Sequence, residues 1–390
     1  MYQTSKSGKG MLERLNEDLQ ALKDESMFRT LPEVMVQGRF VVAKDGRKML
    51  NLSSNDYLSI GCNETLKQEF FASNSPAAFS SCSSRLMSGF DAHTCRLEST
   101  LAALYSKPAA VVFNSGYHAN TSILPAISTP RTLIVADKLV HASLIDGILL
   151  SKCDFVRFAH NNLEKLASIL ESKHSKYDEV IVVSESTFSM DGDVCDLRAL
   201  AELKHCYNNV YLYIDCAHDL AVVGERGLGE AERQGVVEDI DLLVATFGKA
   251  VASYGAFCVC SQVVKDYLVN KARGFIFSTA LSPLQMQWTG FVIDKLADLS
   301  CQRKKLQNNV SYFLGRLKEK GLQTPSVSHI VPIIVGSSEQ AVKKAGLLAE
   351  HGFYCLAVRP PTVPQNSCRL RLSLNSEMSF AELDNLLDIL

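Results

Sequence analysis

Between residues 109 and 280, short and almost wholly apolar runs alternate with stretches whose apolar positions recur at helical spacing. AAVVFN (109–114), RTLIVAD (131–137), DFVRFA (154–159), EVIVVSES (179–186), VYLYIDC (210–216), LLVATF (242–247), AFCVC (256–260) and FIFST (275–279) predict strands. Several are nearly all apolar, as in a strand covered on both faces. NLEKLASILESK (162–173) and DLRALAELKHCYN (196–208) predict amphipathic helices between them. The alternation predicts an α/β domain around a mostly parallel sheet. The two ends of the chain read differently. MLERLNEDLQALKDES (11–26) predicts one charged helix, followed by an extended stretch. From residue 284 the pattern predicts a long helix (284–320), strands HIVPIIVG (329–336) and CRLRLSL (368–374), and helices over 338–351 and 379–390. The expected organisation is an N-terminal segment 1–47 with a loose tail over 1–10, a large α/β domain 48–283 and a smaller α+β domain 284–390.

Composition narrows the class. The chain has 390 residues, 47% hydrophobic and 21% charged, with a formal net charge of −2. That gives no electrostatic footprint for nucleic acid or an anionic membrane. No apolar run reaches the length of a spanning helix, and the polar N-terminus has no apolar signal region. The 12 cysteines are scattered without C-x-x-C pairs or zinc spacing. They are expected to be reduced, mostly small core residues of a cytoplasmic protein.

In an open α/β sheet, ligands gather at the carboxyl ends of the strands. The polar groups there are Asn114-Ser115-Gly116, His141 beyond Asp137, Ser186 to Asp191, Asp215 to His218, and Thr246 to Lys249. Lys249 is the unusual one, an ammonium between LLVATF and AFCVC. The ordinary reading is a lysine that snorkels to water. A P-loop is excluded, because Leu243 and Ala250 stand where Gly and Ser or Thr are needed. GERGLG (224–229) lacks the dinucleotide spacing. A Schiff-base lysine for pyridoxal 5′-phosphate (PLP) accounts for more of the set. Such a lysine needs a carboxylate for the pyridine nitrogen, donors for the phosphate and a group over the ring. Asp215 suits the first and His141 the last. NSGYHAN (114–120) opens a helix whose free N–H groups suit a phosphate. His218 can bond the ring oxygen. Taken singly, Asp215 reads equally well as a helix cap and His141 as a satisfied polar residue.

NLSSNDYLSI (51–60), SSRLMSGFDAHTCRLESTLAAL (83–104), FNSGYHAN (113–120), ADKLVHASLIDG (136–147), ESTFSMDGD (185–193), IDCAH (214–218) and TFGKAVASYGAF (246–257) run through the chain in order. Together they resemble the α-oxoamine synthases, PLP enzymes of the aspartate aminotransferase-like fold-type I class. RFAHNNLEKL (157–166) and VRPPTVPQNSCRLRLSL (358–374) are similar to the branch that joins L-alanine to a pimeloyl thioester in biotin synthesis. The alternatives are a sister synthase, such as glycine C-acetyltransferase, or a catalytically silent partner subunit.

The resemblance implies that Lys249 forms the covalent link to PLP and shuttles protons. It places Asp215 at the pyridine nitrogen, His218 and Ser189 at the ring oxygen, and His141 on the ring face. Gly116, Tyr117 and Thr246 frame the cofactor and its phosphate, which Thr279, with Ser278, reaches from the other subunit of a homodimer. Asn55 and Arg359 take the amino-acid carboxylate, Thr362 lies near substrate, and Arg29 matches a basic residue near the acyl-chain carboxylate. The acyl carrier is pimeloyl-CoA or pimeloyl-acyl carrier protein. Two departures stand out. SSCSSR (80–85) replaces a glycine-rich loop, and DLAVVG (219–224) follows His218 where small residues are usual.

Overall fold

The computed structural model describes residues 10–390, so the expected tail, but for Gly10, lies outside the described residues. Its strands are β1 (Val34–Gln37), β2 (Phe40–Ala43), β3 (Lys48–Asn51), β4 (Ala109–Phe113), β5 (Thr132–Asp137), β6 (Asp154–Phe158), β7 (Glu179–Glu185), β8 (Val210–Asp215), β9 (Leu242–Thr246), β10 (Ala256–Cys260), β11 (Ile330–Gly336), β12 (Phe353–Tyr354), β13 (Ala357–Val358) and β14 (Cys368–Ser373). The central sheet runs β4-β10-β9-β8-β7-β5-β6. All its pairs are parallel except those of β10, which is antiparallel to both neighbours. β10 reverses because the chain turns straight back after β9 instead of crossing over through a helix. Gly255 allows this turn. Its φ is +104°, and an added Cβ would press on the Phe113 carbonyl oxygen.

Both faces of the sheet are buried, which is why its strands read as continuous apolar runs. On one face Val111, Ile134, Val183 and Tyr213 pack under helices Gly116–Ile127 and Ala142–Ser151. On the other, Val112, Val135, Val182 and Ile214 join the larger core. These two helices start at strand ends and carry Ser115 and His141 as caps: Ser115 Oγ accepts from His118 N, and His141 Nδ1 from Ser143 N.

The extended stretch after the first helix is a pair of hairpin strands. β1, β2 and β3 form a sheet whose fourth strand is β12, so strands from the first and last parts of the chain pair together. β11, β14 and β13 form a small antiparallel sheet. FIFST is not a strand. Arg273–Ile276 is a helical turn packed on His118 and Ser122, and Thr279 keeps only a single bridge to Ser84. The long C-terminal helix divides into Pro283–Asp294 and Ser300–Glu319, joined by a short 3₁₀ turn. All 12 cysteines are free, but only half are buried; Cys82, Cys95, Cys206 and Cys301 are exposed. Among the described residues no helix is long and apolar enough to cross a membrane.

Candidate active site

Lys249 lies in the turn between β9 and β10. Bonds from Phe247 N to the Gly255 carbonyl (2.9 Å) and from Thr246 Oγ1 to the same carbonyl (2.9 Å) close that turn. The residue is partly exposed, yet its amine lies 2.9 Å from His218 Nε2. Burial lowers the amine to about 8, against the opposing pull of Asp215 and Glu185. It therefore carries a sizeable free-amine fraction near neutral pH, the nucleophilic form.

From Lys249 a chain of hydrogen bonds leads out of the sheet. His218 Nδ1 is 2.8 Å from the Tyr57 hydroxyl, and that hydroxyl is 2.9 Å from Asn55 Oδ1. Arg371 donates to the same Asn55 oxygen (3.2 Å) and to Tyr57 (3.3 Å), and its Nε holds the Ser189 carbonyl at 2.6 Å. Asn55 Oδ1 can only accept, so Tyr57 donates to it and His218 Nδ1 donates to Tyr57. Nε2 is then the lone pair that faces the amine. Burial first, and the Lys249 cation second, hold His218 well below the ordinary imidazole range. His329 packs edge-on against Tyr57 with ring centroids 4.0 Å apart, and burial takes it down to about 3.

A second network supports the carboxylate. Asp215 ends β8 and accepts from Asn120 Nδ2 at 2.8 Å and Ala217 N at 3.0 Å. Asn120 is held by the Tyr213 hydroxyl (2.7 Å) and donates to Ser143 Oγ (2.9 Å). Ser143 stands 2.8 Å from His141 Nδ1. Its hydroxyl and its N–H both point to Nδ1 as an acceptor, which leaves the proton on Nε2. Burial lowers His141 from its ordinary value. Glu185, buried at the end of β7, accepts from the backbone N–H groups of His141 and Ser189. Burial, then the nearby Asp215, push its carboxyl well above the usual range.

The expected residues divide into those gathered here and those elsewhere. Lys249, His218, Asp215, His141, Ser189 and Asn55 belong to these linked networks. Gly116 opens the helix beside Thr246: a Cβ on it would stand 3.7 Å from the Thr246 Cβ. Tyr117 is exposed and donates to Asp146. Ser278 reaches His118 Nε2 (3.3 Å), and the Thr279 carbonyl holds Asn114 (2.9 Å). Arg359 donates to the carbonyls of Ser26 and Phe28, not to Asn55. Arg29 returns the contact on the Pro360 carbonyl at 2.6 Å. Thr362, exposed, closes a turn on the Arg359 carbonyl. The groups that sequence reasoning passed over are Tyr57, Asn120, Glu185 and Arg371. All but Arg371 lie inside stretches singled out for the family resemblance, and Arg371 lies in the one that marked the branch.

Comparison with known proteins decides the family. The model of the class I and II aminotransferases matches residues 47–390. A Haemophilus influenzae protein named "Putative 8-amino-7-oxononanoate synthase" is 47% identical over 95% of this chain and 98% of its own length. A Neisseria meningitidis protein of the same name is 46% identical over 94% and 97%. The chain belongs to the 8-amino-7-oxononanoate synthase family. Among solved structures, a serine palmitoyltransferase from S. paucimobilis with PLP–myriocin bound matches at TM-score 0.88 and 26% identity, over 98% of this chain and 97% of that one. An 8-amino-7-oxononanoate synthase from Francisella tularensis matches at TM-score 0.74 and 26% identity, over 87% and 96%. The protein is thus a PLP-dependent acyl-transferring enzyme of the aminotransferase fold. The side chains suit that cofactor, since an amine lowered to about 8, a buried carboxylate and a capped helix N-terminus stand at the carboxyl ends of β9, β8 and β4.

Proposed function

We propose that the protein condenses L-alanine with a pimeloyl thioester, carried by coenzyme A or acyl carrier protein. The products are 8-amino-7-oxononanoate, CO2 and the free thiol. The observation that carries this reading is the continuous path from the Lys249 amine through His218 and Tyr57 to Asn55 and Arg371. It puts a nucleophilic amine and a fixed guanidinium on one short chain of bonds.

PLP, when bound, supplies the electron sink that makes loss of the α-proton and of CO2 possible. The protein does the rest. Lys249 would hold the cofactor covalently and would take and return protons at its Nζ. Asp215, oriented by Asn120 and Ala217 N, would serve the ring nitrogen. His141, its tautomer set by Ser143, would cover the ring. His218 and Ser189 would serve the ring oxygen, while the helix N-terminus at Gly116–Tyr117, with Thr246, would hold the phosphate. Arg371 with Asn55 takes the substrate carboxylate. Arg359 and Arg29 join the N-terminal segment to the 359–361 loop near the acyl chain, with Thr362.

A homodimer completes the site in this reading, with Ser278 and Thr279 reaching the partner's phosphate. Phe79 (83% exposed), Met87 (82%) and Phe277 (71%) flank the segments that meet at the Ser84–Thr279 bridge, and they support a covering second copy. Twelve free cysteines support a cytoplasmic enzyme. The test is thiol release from pimeloyl-CoA with alanine, glycine and serine side by side. Alanine should be fastest; a glycine rate equal to or above it moves the protein to a sister activity.

A further inference from the structure

Outside the Lys249 networks, one charged cluster crosses three neighbouring strand ends. His160 follows β6, Asp137 ends β5, and Asp193 lies in the turn after β7. The imidazole stands between the two carboxylates, Nδ1 2.9 Å from Asp137 Oδ1 and Nε2 2.8 Å from Asp193 Oδ2. An ionised carboxylate offers only acceptors, so both ring nitrogens donate and the ring is an imidazolium. Burial alone would lower His160, but its bonds to Asp137 and Asp193 raise it to about 10. Asn161 binds the same pair, with its backbone N–H on Asp137 Oδ2 (2.8 Å) and its amide on Asp193 Oδ2 (2.7 Å). Phe188 closes the cluster edge-on to His160, with ring centroids 4.4 Å apart.

Each aspartate belongs to a turn that carries a site residue. Asp137 Oδ1 also accepts from Leu139 N (2.7 Å), which shapes the segment leading to His141. The Asp193 carbonyl accepts from Phe188 N (3.0 Å), and Gly192 N bonds the Phe188 carbonyl (2.9 Å), closing the turn that presents Ser189. From the inner side, Glu185 bonds the backbone N–H groups of His141 and Ser189. The two turns are therefore tied twice, by the Glu185 carboxyl inside the site and by His160 outside it. No step of the proposed reaction uses the outer tie.

We propose that the His160 imidazolium is a positioning residue, which holds the His141 turn and the Ser189 turn in register across the mouth of the cofactor site. The inference rests on the reading of His141 as the residue facing the cofactor ring. Removing the tie loosens both turns without touching cofactor or substrate. A displacement of a fraction of an ångström at reacting groups lowers turnover by about ten-fold or more.

The test compares holoenzymes of wild type, His160→Gln and His141→Ala at a temperature where all are fully folded by far-UV circular dichroism. Its readouts are the circular dichroism of bound PLP near 400 nm and the separate kcat and KM for alanine. For His160→Gln, a weakened cofactor signal and a kcat reduced about ten-fold, with KM within about two-fold, are expected. Changed signals in His141→Ala but wild-type signals in His160→Gln overturn the proposal and leave the His141 reading intact. Wild-type signals in both overturn the His141 reading and the proposal with it. If His160→Gln does not fold, Asp193→Asn carries the same comparison. The wild-type apoprotein gives an independent check. With 15N-labelled histidine, both His160 nitrogens should carry protons at pH 8, and a ring protonated at one nitrogen only refutes the imidazolium.

Discussion

The Tyr57 hydroxyl stands 2.8 Å from His218 Nδ1, on the opposite side of the ring from the Lys249 amine at 2.9 Å from Nε2. One phenol thus decides which imidazole nitrogen carries the proton and leaves a lone pair toward the Lys249 amine. Tyr57→Phe leaves a buried N–H without an acceptor and frees the ring to change tautomer. A stability loss of about 1–3 kcal/mol is expected, read as a shift of the urea midpoint, together with a lower kcat. Unchanged values of both would separate Tyr57 from the site.

Asp215→Asn keeps only one of two contacts, because Asn120 Nδ2 and Ala217 N donate to different carboxylate oxygens and an amide has one accepting oxygen, and it also removes the charge. Turnover should fall by a barrier of about 3 kcal/mol or more, while PLP remains bound and the circular dichroism spectrum of the fold is retained. Near-wild-type turnover with the cofactor in place would assign Asp215 another task.

Lys249 is lowered from its ordinary value of 10.5 to about 8. Only the free amine attacks a carbonyl, so the sign is set: the rate of PLP capture by apoprotein rises with pH and levels off above about pH 8. The group responsible can be fixed by borohydride reduction and located by peptide mapping. A rise that continues past pH 10, or a label on another lysine, contradicts the assignment.

The shared-site dimer is tested by mixing Lys249→Ala with Thr279→Tyr, each nearly inactive as a homodimer. Random exchange makes about half the dimers mixed, and each mixed dimer has one site with both defects and one with neither. About a quarter of all sites should recover activity. A mixture that stays inactive, although mass measurement shows exchange, places Thr279 in its own chain's site or in none.

The central sheet was legible because its strands are buried on both faces and sharply punctuated; β4 to β10 fall within a residue or so of the predicted runs. FIFST misled because its residues are apolar for another reason: Phe275 packs on Phe113 beneath the helix that begins at Gly116. The N-terminal hairpins were missed although QG (37–38) and DG (45–46) mark their turns. Within the site, Lys249, Asp215, His141 and His218 could be found because each sits at or just beyond a strand end. Arg371 could not be placed that way. It lies on β14, in another sheet, and reaches Asn55 and Ser189 only through tertiary packing. Arg359, chosen for the carboxylate on motif resemblance, is engaged by the N-terminal segment. Glu185 and Asn120 lay in plain view within quoted motifs. Nothing in a linear sequence distinguishes a carboxyl under a cofactor site from a solvated one.

The pairing of β3 with β12 sets an order of events during synthesis. Leu50 finds Phe353 only after nearly the whole chain has left the ribosome. Until then the stretch holding Asn55 and Tyr57 has no permanent seat, although β4 to β10 can already be folded. Arg371 is made later still. A nascent chain therefore carries Lys249 and Asp215 well before it has Arg371, the proposed seat of an amino-acid carboxylate, and on that proposal truncation near the C-terminus should leave a protein able to capture cofactor but unable to grip substrate.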